Sequence, residues 1–186
     1  MRRALSRVLF IFVYVYTQMK LGKSIIVCEK NVSGVRSRAL AAFAARARRA
    51  AGLRGGVTVL ITRNSTMRRL NSCFRGKNRA TDVLSFPAIA SASGFAGDIA
   101  ISLDIATRNA RILGHSVTDE LRILLLHGIL HLAGYDHESD KGEMAKKEIL
   151  LRRRLALPST LIERSYNTRA GRKLAKSART TAQSSR

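Results

Sequence analysis

Residues 118–137 read T-D-E-L-R-I-L-L-L-H-G-I-L-H-L-A-G-Y-D-H, and this stretch decides the fold. Apolar residues lie on almost every side of a helix drawn over residues 118–133, as is typical of a helix buried in a protein core. Thr118 is a favourable residue to cap its start, and Gly134 a favourable one to end it. The sequence therefore predicts a central buried helix over residues 118–133.

Three of the four histidines of the chain lie on this helix or just after it, at His127, His131 and His137. His127 and His131 are four residues apart, so their side chains share one helix face. A turn at Gly134 allows His137 to approach the same point. Three neutral imidazoles with an open fourth position are the ligand set of a catalytic zinc site. We therefore predict one zinc ion per chain, although nickel and copper suit imidazole ligands as well.

The spacing of these histidines is also that of the metzincin proteases, whose motif is H-E-x-x-H-x-x-G-x-x-H. Those enzymes use the glutamate after the first histidine as a general base. Gly128 occupies that position here, so a peptidase mechanism of that type lacks its base. The fourth histidine, His115, lies off the helix face and near a turn, and is predicted to be an ordinary surface residue.

Periodic segments on both sides of this helix predict the rest of the fold. Strands are expected over residues 24–28, 57–62, 83–86 and 98–103. Helices are expected over residues 35–51, 65–73, 104–113 and 140–155. The predicted fold class is α+β, a single mixed four- to five-stranded sheet with helices packed on it, in which the central buried helix carries the metal-binding histidines.

The charge of the chain indicates a polyanionic partner. The 34 basic and 12 acidic residues give a net charge of +22. Such an excess favours nucleic acid as the partner, and an anionic membrane only second. Two cysteines are too few for a disulfide framework and fit a reducing compartment. We expect a cytoplasmic protein that binds RNA or DNA and no membrane.

At this point the sequence resembles a known family. Residues 127–137 match the H-G-x-L-H-L-x-G-Y-D-H signature of the YbeY-type endoribonucleases, which are bacterial rRNA maturation factors. Further agreement, in the same order and spacing, comes from L-N at 70–71, F-R-G-K at 74–77, T-D-V-L-S-F-P at 81–87 and G-D-I-A-I-S at 97–102. The resemblance covers about residues 24–157. Phe74 and Ala80 depart from it, since tyrosine and proline are frequent there in the family.

The resemblance implies a zinc-dependent endoribonuclease that cuts single-stranded RNA. It implies roles in maturing the 3′ end of 16S rRNA and in ribosome quality control, with the small ribosomal subunit as an expected partner. It carries the three zinc ligands to His127, His131 and His137, and a catalytic arginine to Arg75. The planar guanidinium of arginine matches two oxygens of a phosphate.

Three more residues are candidates for the site. Asp136 stands beside His137 and either orients a ligand histidine or caps the turn. Lys77 and Arg79 follow Arg75 in a polar, basic loop and are predicted to contact RNA.

The chain is expected to contain one folded domain between two extensions. Residues 1–23 form an N-terminal extension, either an additional strand or a stretch that is not translated, with Met19 as an alternative start. Residues 24–157 form the metal-dependent endoribonuclease domain. Residues 158–186 form a basic, disordered C-terminal tail.

Two other functions compete with this prediction. The first is a non-hydrolytic RNA-binding ribosome-assembly factor with a structural metal site. The second is a metallohydrolase of another substrate, such as a peptide, which Gly128 and the positive charge disfavour. The residues also leave open whether RNA is cut by water or by its own 2′-hydroxyl group.

Overall fold

The computed structural model describes residues 24–88 and 94–158, so the predicted extension over residues 1–23 and all but the first residue of the predicted tail lie outside the described residues. The helices and strands agree with the predicted ones to within a few residues. In chain order they are β1 Ile25–Cys28, α1 Ser37–Ala51, β2 Gly56–Thr62, α2 Asn64–Arg75, β3 Val83–Pro87, β4 Phe95–Ser102, α3 Leu103–Leu113, α4 Val117–Leu132 and α5 Glu143–Arg154.

The strands form one mixed sheet, which confirms the predicted α+β fold. Their order is β1-β2-β4-β3, and four strands are present within the described ranges. Strand β2 pairs in parallel with both β1 and β4, whereas β3 pairs with β4 in the antiparallel sense. Strand β3 is therefore an edge of the described sheet.

The two faces of the sheet pack against different helices. Successive side chains of a strand point to opposite faces, and β2 shows this division. Val57, Val59 and Ile61 join the main core, to which helices α1, α3, α4 and α5 contribute. Leu60 points the other way and packs with the side chains of Met67 and Leu70 of α2. Helix α4 and helix α2 consequently lie on opposite sides of the sheet.

Helix α4 is the buried central helix that the sequence predicts. Ile123, Leu125, Leu126, Ile129 and Leu130 have no exposed surface, and the helix packs across β3 and β4. It begins at Val117 because the hydroxyl of Ser116, rather than that of Thr118, accepts the backbone N–H of Asp119. It has 16 residues, and no helix in the described ranges is long and apolar enough to cross a bilayer.

The prediction for His115 is wrong, because its side chain is only 8% exposed. Its Nε2 atom lies 2.7 Å from a carboxylate oxygen of Glu120, which is fully buried. The amide of Asn109 donates to the other oxygen at 3.1 Å. A buried carboxylate without such partners is strongly unfavourable, so the first turn of α4 draws His115 inward.

Candidate metal centre

Helix α4 and the turn after it bring the three predicted metal ligands together. The ring centroids of His127 and His131 are 4.8 Å apart, and the ring of His137 lies 5.2 and 5.1 Å from them. One nitrogen from each ring lies within 4.8 Å of the others. His127 and His131 are half-buried and His137 is exposed, so the cluster is open to solvent on one side.

The turn depends on Gly134, whose φ is +89°. Its N–H donates to the carbonyl of His131 at 3.0 Å, and the N–H of Tyr135 donates to the carbonyl of Leu130 at 3.1 Å. These bonds satisfy carbonyls that the helix end leaves free, and the left-handed conformation reverses the chain. His137 is thereby returned to the face that carries the other two histidines.

The donor set fits a zinc-type ion. The Nε2 atoms of His127 and His131 are 3.1 Å apart. Two nitrogens that bind one tetrahedral ion at ~2.0–2.1 Å are separated by roughly 3.3–3.4 Å. The two rings therefore already stand at close to the spacing that a shared ion requires, and a third imidazole lies beside them.

The neutral state of the His131 ring also favours metal binding. Burial, and after it the repulsion from a protonated His127 or His137 ring nearby, lowers the pKa of His131 to about 4. A histidine must be neutral to bind a metal ion. At neutral pH the ring of His131 is therefore available as a ligand without first losing a proton.

Glu148 is a residue of this site that the sequence analysis missed. Its Oε2 atom lies 3.0 Å from Nδ1 of His127, and its Oε1 atom is paired with Arg152. Burial raises the pKa of Glu148, but the hydrogen bonds and charges of His127 and Arg152 hold it below its usual value. The signal was a charged pair on the buried stripe of α5, whose apolar members are Met144 and Leu151.

Asp136 is exposed and bonds within the turn. Its carboxylate accepts the N–H of Glu138 at 3.0 Å and the hydroxyl of Ser139 at 2.8 Å. These two hydrogen bonds are the main reason that the pKa of Asp136 lies below its usual value. Among the described hydrogen bonds of this carboxylate, none joins a histidine ring, so its visible contribution is to the shape of the turn that carries His137.

Gly128 occupies the position of the metzincin glutamate and has no room for a side chain. A Cβ atom there would lie 2.9 Å from Cγ2 of Ile99 and 3.1 Å from Oγ of Ser85. The hydroxyl of Ser85 also donates to the carbonyl of Gly128 at 3.2 Å. The absence of a side chain at Gly128 therefore lets α4 lie close to the sheet. The same close packing leaves no room for a glutamate that could act as a general base.

Arg75 ends α2, on the other side of the sheet. It is exposed, and its guanidinium has no hydrogen bond or ion pair among the described residues. Its neighbour Phe74 packs edge-on against Phe86 of β3, with ring centroids 4.9 Å apart. Ser85, just before Phe86, donates to the carbonyl of Gly128, the residue after His127 on α4. Arg75 and His127 therefore lie on opposite sides of β3, which is one edge strand of the described sheet.

Lys77 and Arg79 follow in a loop whose backbone is held by Asn71. The Asn71 side chain is buried and donates to the carbonyl of Arg79 at 2.8 Å, while its backbone carbonyl accepts the N–H of Lys77 at 3.2 Å. The side chains of Lys77 and Arg79 are exposed. A fixed backbone thus presents two cations next to Arg75.

Asp98 is a half-buried carboxylate on the face of the sheet that α2 covers. Burial raises the pKa of Asp98 to about 7, although a hydrogen bond from Thr58 opposes the shift. The folded protein therefore holds this proton to a higher pH than the unfolded chain does. The free energy of unfolding should fall as the pH rises from about 4 to about 7, where only the unfolded state loses the proton.

We expect Asp98→Asn to remove this pH dependence. The free energy of unfolding of the variant should exceed that of the parent by an amount that grows from pH ~4 to pH ~7, up to about 4 kcal/mol. Denaturant titrations with a chelator present would measure it. Asp104→Asn is the control of opposite sign, because the hydrogen bond from Asn64 and the charge of Arg63 lower the pKa of Asp104. A constant difference across this range would contradict the assignment.

The chain is similar to known proteins over most of its length. The family model described as Endoribonuclease YbeY matches residues 20–156. A Koribacter versatilis protein named Endoribonuclease YbeY is 57% identical over 151 residues, which cover 81% of this chain and 97% of the relative. Proteins of the same name from Nautilia profundicola and Solibacter usitatus are 50% and 53% identical, over 59% and 56% of this chain and 78% and 69% of the relatives.

Proposed function

Since this chain belongs to the YbeY family of endoribonucleases, we propose that it cleaves single-stranded RNA with the help of one zinc ion held by His127, His131 and His137. The observation that carries the proposal is the approach of the His127 and His131 Nε2 atoms to 3.1 Å, with a third imidazole beside them. Bound there, the ion would act as a Lewis acid toward the phosphodiester and toward water.

Arg75 would bind the phosphate at the cleaved bond. Its guanidinium has no described competitor for its donors, and its planar shape matches two phosphate oxygens. The histidines and Arg75 are carried on the two sides of edge strand β3. An RNA backbone that crosses this edge would meet both, with Lys77 and Arg79 as contacts to neighbouring phosphates.

We further propose ribosomal RNA as the substrate, in particular the 3′ end of 16S rRNA within the small ribosomal subunit. The support is the family resemblance together with the charge of the chain. Residues 24–157 carry 22 basic and 11 acidic residues, so the domain is basic without its extensions. Its affinity for RNA should fall steeply with salt, because each phosphate contact releases counterions.

The test is to incubate the full chain with a single-stranded fragment that spans the 3′ end of 16S rRNA. We expect cleavage that a chelator abolishes and added zinc restores, and none of a fully base-paired form. Products with 5′-phosphate ends would indicate attack by water, whereas 2′,3′-cyclic phosphate ends would indicate attack by the 2′-hydroxyl. Tight binding without cleavage by folded, zinc-loaded protein would instead support the assembly-factor function.

A further inference from the structure

We propose that Glu148 is the positioning residue of the metal site, which holds His127 with its ring proton on Nδ1, and that Arg152 aligns Glu148 for this task. The inference rests on the proposed role of the three histidines as metal ligands. It concerns the buried stripe of α5, which lies outside the histidine signature of residues 127–137.

The contact between Glu148 and His127 decides which ring nitrogen is free. An ionised carboxylate only accepts hydrogen bonds, so at 3.0 Å the Nδ1 atom of His127 must be the donor. In the neutral ring the lone pair is then on Nε2. That is the nitrogen that lies 3.1 Å from Nε2 of His131. Glu148 therefore turns the ligand atom of His127 toward the centre of the cluster.

Arg152 supplies the positive charge that pairs with the Glu148 carboxylate. Arg152 lies one helical turn after Glu148, is 2% exposed, and is paired through Nη2 with the Oε1 atom that His127 does not use. One carboxylate oxygen is thus committed to each partner. The line of contacts runs from Arg152 through Glu148 to His127 and so links α5 to α4.

Stability alone explains this arrangement poorly. Burying an ion pair costs desolvation that its attraction often does not recover, and apolar residues of similar size are commonly as stable. Two nitrogens of Arg152, Nε and Nη1, also have no hydrogen-bond partner among the described residues. Met144 and Leu151 fill the same stripe with apolar side chains that are 1% exposed. An acceptor for His127 gives the buried charges a function.

The described hydrogen bond of His131 to a group outside the cluster is weaker than that of His127. His131 has a hydrogen bond to the backbone of Tyr135, which is a neutral partner. His127 instead donates to a charged acceptor, and a carboxylate acceptor makes an imidazole a more basic ligand. Loss of such a partner typically weakens metal binding about 10- to 100-fold.

The test replaces Glu148 by glutamine, with Glu143→Gln as the matched control. Glu143 lies on the same helix and is exposed. Zinc affinity is measured by competition with a chromophoric chelator, and the tautomer of His127 by nitrogen-15 NMR of the zinc-free protein in mildly alkaline buffer. We expect Glu148→Gln to weaken zinc binding about 10- to 100-fold and to raise the fraction of His127 protonated on Nε2. Glu143→Gln should change neither.

A folded Glu148→Gln protein with parental zinc affinity and an unchanged tautomer would overturn the inference. Should the variant not fold, the unmodified chain still decides, since zinc-free His127 must carry its proton on Nδ1, and an Nε2 proton there overturns the inference. Neither measurement uses RNA. Parental protein that responds as expected but cuts no RNA would therefore refute the proposed function and leave the role of Glu148 supported.

Discussion

Replacing His131 by alanine is expected to abolish both zinc binding and RNA cleavage. The variant would keep two of the three imidazoles, and loss of a ligand costs more than loss of an outer partner, so affinity should fall more than about 100-fold. With one equivalent of zinc, the parent should retain the metal after gel filtration and the variant should not. Elemental analysis of the eluted protein and an RNA cleavage assay measure the two effects.

The same variant distinguishes an effect on metal binding from an effect on folding. His131 is half-buried at the open end of α4, so its removal should disturb the core little in the zinc-free state. The three imidazoles meet only in the folded chain, so zinc held by them should raise the thermal unfolding temperature of the parent. It should leave that of His131→Ala unchanged, because the variant lacks the site.

His115→Gln is the matched control for the loss of a histidine. His115 is held by Glu120 at the opposite end of α4, and its replacement should lower stability while zinc binding remains intact. His115→Gln should therefore lose stability and keep zinc binding, whereas His131→Ala should lose zinc binding and keep the stability of the zinc-free protein. If His131→Ala kept a full equivalent of tightly bound zinc, the proposed ligand set would be wrong.

Much of this fold was predictable because local patterns determine it. The apolar surface all round residues 118–133 predicted the burial of α4, and the spacing of His127, His131 and Gly134 predicted that three imidazoles would meet. Both depend on helix geometry and on a single turn, and need no knowledge of distant parts of the chain.

The features that were not predictable depend on contacts between distant segments. Glu148 and Arg152 lie on the stripe of α5 that also carries Met144 and Leu151, but the partner of Glu148, His127, becomes evident only when α5 is packed against α4. His115 lies only five residues from Glu120, but Glu120 is buried where α4 packs against α3, whose Asn109 donates to it. The order β1-β2-β4-β3 places β3 at an edge, where it contacts both Phe74, next to Arg75, and the helix that carries His127.

Arg75→Ala is expected to lower the cleavage rate at saturating RNA by about 10²–10³-fold, the usual cost of removing a donor that stabilises the transition state. Zinc content and the unfolding temperature should not change, because the side chain is exposed and has no described partner. Single-turnover kinetics with zinc-loaded protein would measure the rate, and elemental analysis the metal.

Two further variants distinguish a specific clamp from general positive charge. Arg69→Ala removes another exposed arginine of α2 and should affect only the salt-dependent affinity for RNA. Arg75→Lys keeps the charge but loses the planar fork that binds two oxygens, so it should restore affinity more than rate. If Arg75→Lys recovered the full rate, or if Arg69→Ala slowed cleavage as much as Arg75→Ala, Arg75 would be one cation among many. A rate loss confined to position 75 would instead support a specific contact between Arg75 and the phosphate at the cleaved bond.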